Sequence, residues 1–202
     1  MGETDPARGD LTQGRAEQQA RSIRAALLGR GIDKSTRELV SRALELSMST
    51  RVSSLSDDHH PAYLHPGRAV LILLHDVDDL PASALPAAAL HESMDTALSP
   101  GSGQVDDLLG VAVGDTVRSL PLPGAEGLEE RLVLLPRDGA VAVLAERLDH
   151  LRHLHMRPDT RKEWSAMHAE VERAWLPFAQ RTDGRLAQRF THWTRTFRKR
   201  LP

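Results

Sequence analysis

Residues 69 to 74, AVLILL, form an apolar run with no polar break, too long for one face of an amphipathic helix. The helix that carries it is expected to be central and buried on most sides. It opens after His65 and Pro66, and proline is favoured at a first helical position, where its missing N–H would have had no intrahelical partner. The turn DVDDLPAS ends it. Ser83 suits the cap of a second helix that holds Pro86 in its tolerant first turn and carries His91 and Glu92 near its far end. Two short helices joined by a tight turn run antiparallel, which sets the start of the first beside the end of the second. His65 and His91 can therefore meet. His75 and Asp76 spell a literal His-Asp pair, but ten residues of helix put His75 roughly 15 Å from His65, too far to share a metal with it.

The chain has no cysteine, which excludes disulfides, thiolate metal sites and cysteine nucleophiles and leaves His and carboxylate as the strong metal ligands. Its 202 residues with 40% hydrophobic content suit one domain. With aromatics at only 3% and Ala, Leu and Arg dominant, an all-α helical bundle is expected rather than a sheet protein. The formal charge of −2 argues against a nucleic-acid-binding protein. MGETDPARGD lacks the layout of a signal peptide, and the apolar runs fall short of a membrane span. The expectation is a cytoplasmic protein with no membrane and no nucleic acid among its partners.

Residues 1 to 13 read as a disordered tail and residues 14 to 202 as the domain, starting near Arg15. A first helix holds Ile23, Ala26 and Leu27 and stops near Gly29 to Gly31; a second spans Ser35 to Ser47, with Leu39, Leu44 and Leu46 toward the core. Residues 48 to 60 lead as a loop into His65. VDDLLGVAVGDTVRSL reads as one or two short helices interrupted by Gly110 and Gly114, Glu129 to Leu135 as a helix that stops at Pro136, and Ala140 to His155 as a long helix. Trp164, Met167, Val171, Ala174, Trp175 and Phe178, then Leu186, Phe190, Trp193 and Phe197, mark two amphipathic terminal helices whose aromatic stripes belong to the core.

On the long helix, Glu146 and His150 lie four apart and share a face, as do Asp149 and His153; either pair could complete a metal site. His153 and His155 fit an exposed charged face. Glu146 differs, because it follows AVAVLA directly and is held near the core, where a carboxylate is costly unless paired or bound to a metal.

PAYLHP with its apolar helix, then AAALHESMDT, then VAVLAERLDHLRHL, resembles the hydrolase domain of the RelA/SpoT-type (p)ppGpp hydrolases, members of the HD metal-phosphohydrolase superfamily. The resemblance spans roughly residues 35 to 156 and implies an HD-type helical fold. In that family a His before Pro, a His-Asp pair and a distal Asp bind one divalent metal, commonly manganese. Carried over, the metal ligands are His65, His91, Glu92 and Glu146, with Glu in place of both Asp. Asp95, followed by Thr96, matches the end of the segment that positions the attacking water, so Asp95 and Glu92 are the expected catalytic residues; Met94 occupies the place of a second acid.

The family's loop before the first His is basic and helps hold a guanine nucleotide. Here SSLSDDHH is acidic and Arg51 is the nearby cation, so Arg51 is the expected substrate contact, together with Arg147; Arg152 also neighbours Glu146 in sequence. The implied activity is metal-dependent release of pyrophosphate from ppGpp or a related nucleotide. The competing expectations are an HD phosphohydrolase for another nucleotide, and a degenerate HD domain that binds a nucleotide or a protein without turnover.

Overall fold

A long helix, Arg137–His153, stands at the middle of the molecule, and its sequence explains why. From Gly139 to Asp149 every residue is buried, including Glu146, Arg147 and Asp149, so the helix has no solvated face over its central turns. The computed structural model describes residues 6–49, 62–91 and 102–202. Arg51, Glu92, Met94, Asp95 and Thr96 therefore lie outside the described residues, as does nearly all of the 48–60 loop.

The described residues are all-α, with no strand among them. In chain order the helices are α1 (Pro6–Gly29), α2 (Lys34–Ser49), α3 (His65–Asp76), α4 (Ala84–Leu90), α5 (Ser102–Leu109), α6 (Val111–Ser119), α7 (Leu128–Val133), α8 (Arg137–His153), α9 (Trp164–Glu170), α10 (Leu176–Thr182) and α11 (Gly184–Phe197). No described helix is long and apolar enough to cross a membrane. α8 packs on α3, α4, α6, α10 and α11, while α3 also packs on α1, α2 and α4. The apolar run in α3 is buried except for the half-buried Leu71, and α8 shares the centre with it.

Helix ends are held by specific groups. α1 begins at Pro6, ahead of Arg15, and stops where Gly31 takes a left-handed conformation at φ 66°, which a residue with a Cβ disfavours. Arg30 then reaches across to α3, donating to the carbonyls of Leu74 at 3.0 Å, Val77 at 2.7 Å and Asp78 at 2.5 Å, so one guanidinium satisfies acceptors left open at that helix end. Asp33 caps α2, accepting from the Thr36 N–H at 3.0 Å and the Thr36 hydroxyl at 2.6 Å. The α2 face in the core is Thr36, Val40, Ala43, Leu46 and Ser47; Leu39 and Leu44 sit at its edge.

Ser83 does stand at the cap position of α4, but its hydroxyl donates to Asp138 on α8 at 2.7 Å instead of capping. The reason is burial: all seven residues of α4 are inside, and Asp138, also bonded by Thr116 at 3.1 Å, offers a stronger charged acceptor. Gly110, at φ 88°, separates α5 from α6, whereas Gly114 lies within α6.

The two aromatic stripes are core, with Trp164, Trp175, Phe178, Phe190, Trp193 and Phe197 all buried. Between α9 and α10 the helix widens into a π segment, Val171–Trp175, just before Pro177, whose ring would strike the carbonyl of Arg173 in a regular α-helix. The widened turn aligns residues five apart, and the Trp175 indole N–H donates to Glu170 at 2.7 Å.

Leu144 is fully buried in α8 and Leu134 is 81% exposed. Leu144→Ala is expected to lower unfolding stability by about 2–5 kcal/mol, and Leu134→Ala to change it by less than about 0.5 kcal/mol. Urea denaturation measures both, and equal losses would contradict the central place of α8.

Candidate metal centre

Three helices bring their chemistry to one point. α3 presents His65 from its first residue, His91 directly follows α4, and α8 faces both with Glu146, Asp149, His150 and His153, spaced three and four apart on one side. The antiparallel pairing of α3 and α4 is what lets the two histidines converge on Glu146. His65 Nε2 is 3.5 Å from Glu146 Oε1, and His91 Nδ1 is 3.4 Å from Glu146 Oε2. His150 Nε2 approaches Oε1 at 2.9 Å, and its ring lies on that of His65 with centroids 3.9 Å apart. His65, His91 and Glu146 are each only 2% exposed.

Behind His65 stands a second carboxylate. Asp149 Oδ2 accepts from His65 Nδ1 at 2.7 Å, and Arg68 Nε donates to both Asp149 oxygens at 2.8 and 3.1 Å. A carboxylate can only accept, so this bond puts the proton of His65 on Nδ1 and turns the Nε2 lone pair toward Glu146. His153 donates from Nδ1 to the Asp149 carbonyl at 2.7 Å, and burial lowers its pKa, partly countered by Asp149. It is a half-buried member of this cluster rather than the solvated group the sequence suggested, while His155 is exposed.

The charges decide what the centre can hold. Burial would raise the pKa of Glu146, but His150 first, then His65 and His91, outweigh it and hold the carboxyl well below the usual range. Burial also opposes ionisation of Asp149, yet the bonds from His65 and Arg68 bring it down to about 2. Arg68 offsets Asp149, which leaves the Glu146 carboxylate among imidazoles. A lone pair on His65 Nε2 facing a carboxylate oxygen at 3.5 Å is repulsive unless something positive lies between them, either a second proton or a cation.

A metal ion could be held by this arrangement. His65, Glu146 and His150 each offer a ligand atom, and these atoms lie within 4.8 Å of one another. Both ring nitrogens of His91 and the Oε2 of Glu146 are buried without a hydrogen-bond partner among the described residues, as groups reserved for an ion would be. Of the expected ligands, His65 and Glu146 belong to this set, His91 meets Glu146 Oε2 at 3.4 Å without joining it, and Glu92 lies outside the described residues. His150 joins them through its place one turn after Glu146.

Arg147 and Arg152 point to different places. Arg147 is buried, its Nη2 3.3 Å from Glu170 and its guanidinium 5.6 Å over the Trp175 ring, and burial lowers its pKa against the pull of Glu146 and Glu170. It lines a cleft of about 420 Å³ beside Glu146 and His150, but its charge is engaged by Glu170. Arg152 faces away, into another groove. Arg157 and Thr160 sit at the rim of the cleft, with Leu122, Leu154 and Met167 as its apolar wall.

Binding of an added divalent ion to this centre, followed by calorimetry, should be roughly 10–100-fold weaker in Asp149→Asn, since Asn no longer fixes the His65 tautomer by charge; unchanged affinity would remove Asp149 from the site. The same carboxylate makes acid stability testable. Its folded pKa is depressed, so its stabilisation is complete above the unfolded value, roughly pH 4, and is lost as pH falls toward 2. Metal-free protein should lose on the order of 2 kcal/mol from this group on going from pH 7 to pH 2, and urea titrations should find that part of the loss missing in Asp149→Asn.

No protein-family model matches the chain, and no curated protein matches it.

Proposed function

We propose that the chain is a metal-dependent phosphohydrolase with an HD-type fold, resembling the (p)ppGpp 3′-pyrophosphohydrolases and releasing pyrophosphate from a guanosine polyphosphate. The observation that carries the proposal is the convergence of His65, His91, His150 and Glu146 from three helices in one buried centre that opens onto a cleft. His65, Glu146 and His150 would hold the ion; by the family resemblance His91, which stands 3.4 Å from Glu146 Oε2, would be a further ligand and the ion manganese. When bound, the ion supplies Lewis-acid polarisation of a phosphoryl oxygen and a lower pKa for an attacking water.

The chain's own residues do the rest. Asp149 keeps His65 in one tautomer, and Arg68 keeps Asp149 ionised. Glu146 and His150 are the members of the centre that line the cleft, and His150, whose side chain is 33% exposed, is the more open of the two, so substrate arrives along its side while His65 and His91 stay buried. Arg157 at the rim offers a guanidinium to a phosphate; its pairing with Asp159 is exposed and long at 3.3 Å, so a phosphate can replace it at little cost. Leu122, Leu154 and Met167 offer an apolar face to the base or sugar. By the family resemblance, Asp95 orients the water and Arg51 contacts the nucleotide. The water oxygen bonds to phosphorus as the bond from phosphorus to the nucleoside 3′ oxygen breaks, and the water's proton passes to that oxygen.

A second reading is favoured by one contact. His150 already lies 2.9 Å from Glu146, so a proton shared there can satisfy the carboxylate without a metal, as in a degenerate domain that binds a nucleotide or a protein. Pyrophosphate release from ppGpp with added manganese, beside a panel of other nucleotides, separates the two. The expected outcome is release from ppGpp that His91→Ala abolishes with helicity retained. Release undiminished in His91→Ala would remove the site assignment. Activity on another nucleotide alone would move the substrate, and manganese binding without turnover on any of them would leave the binding domain.

A further inference from the structure

The side of α8 opposite the metal centre carries a separate groove of about 320 Å³, within the size range of small-molecule sites. It shares no lining residue with the cleft. Arg152 and His155 line it from the end of α8 and the turn beyond; Arg189, His192 and Arg200 line it from α11 and the residues that follow. No carboxylate lines it, in a chain whose formal charge is −2. We propose that this groove is a binding site for a compact phosphate-bearing anion, of the size of a di- or triphosphate group.

The charge balance supports an anion. Arg189 is tied to Asp76 at 2.7 Å, which offsets one guanidinium. Two neighbouring cations are engaged as well, Arg185 with Asp78 at 3.1 Å and Arg198 with Glu172. Arg152 and Arg200 have no carboxylate within ion-pair distance among the described residues. α8 and α11 both end here, and each helix C-terminus contributes roughly half a negative charge. Three guanidiniums less one carboxylate and two half charges leave about one positive charge, before any contribution from His155 and His192. Helix dipoles alone therefore do not account for the cations gathered in the groove.

The floor is packed. Trp193 on α11 donates from its indole N–H to the Leu151 carbonyl on α8 at 2.7 Å, which ties the two helices, and stacks on Phe197 of its own helix with centroids 4.7 Å apart. Arg152 projects from the last turn of α8, next to the Leu151 carbonyl that Trp193 holds, and Arg200 from the exposed turn that follows α11; planar guanidiniums suit the bidentate geometry of phosphate oxygens. The concavity favours a small anion over a membrane or a nucleic-acid duplex, which would call for a broader basic surface.

Calorimetric titration of metal-free protein with sodium tripolyphosphate at low salt tests the site. Stoichiometric binding is expected, weakened roughly tenfold or more in Arg152→Ala/Arg200→Ala. Arg21→Ala/Lys34→Ala, which removes the same charge at positions 67% and 82% exposed elsewhere, should leave it intact. His91→Ala should also bind normally, so the groove stands or falls independently of the hydrolase reading. Absence of binding, equal losses in both double variants, loss in His91→Ala, or capture by anionic vesicles or oligonucleotides in place of tripolyphosphate would each overturn the proposal.

Discussion

The hydrogen bond from His65 to Asp149 is the interaction on which the candidate centre depends. It spans 84 residues of sequence, lies wholly inside, and joins the first residue of α3 to the C-terminal part of α8. An ionised carboxylate in such a place is tolerable only because Arg68 and His65 together satisfy it. Its consequence reaches Glu146, since fixing the proton on His65 Nδ1 sends the Nε2 lone pair toward a second buried carboxylate. The pair of acids then forces a choice between a proton and a metal ion at one spot.

That spot is positioned by helix ends rather than by loops. His65 opens α3 and His91 follows the last turn of α4, and both helices are held on α8 by contacts away from the chemistry. Ser83 and Thr116 converge on Asp138 at the start of α8, and Arg30 closes the far end of α3. At the near end, Gln19 on α1 donates to the Leu64 carbonyl at 2.9 Å, and its side chain fills the space a Cβ on Gly67 would need. The imidazoles consequently sit on rigid elements, which suits a preorganised ligand set.

Much of this was readable in local pattern. The apolar run of α3, the antiparallel turn into α4 and the burial of Glu146 behind AVAVLA follow from periodicity and from the cost of an unpaired charge. The aromatic stripes of α9 through α11 likewise went to the core. Asp149 was less legible: its spacing on α8 pointed to His153, and it does touch that ring, but its main partner is His65. Arg147 shows the same limit, because adjacency to Glu146 says nothing of Glu170, which the π-widened helix presents to it.

By itself the sequence determined the helical class, the absence of thiol chemistry and which face of α8 carries acids and histidines, because these depend on composition and on a repeat of about 3.6 residues. The tertiary structure decided which acid supports which histidine, that His150 joins the centre, and that Arg152 belongs to another groove. Those outcomes turn on how α8 is rotated and set against α3 and α11, and that rotation is fixed by side-chain packing between segments far apart in the chain.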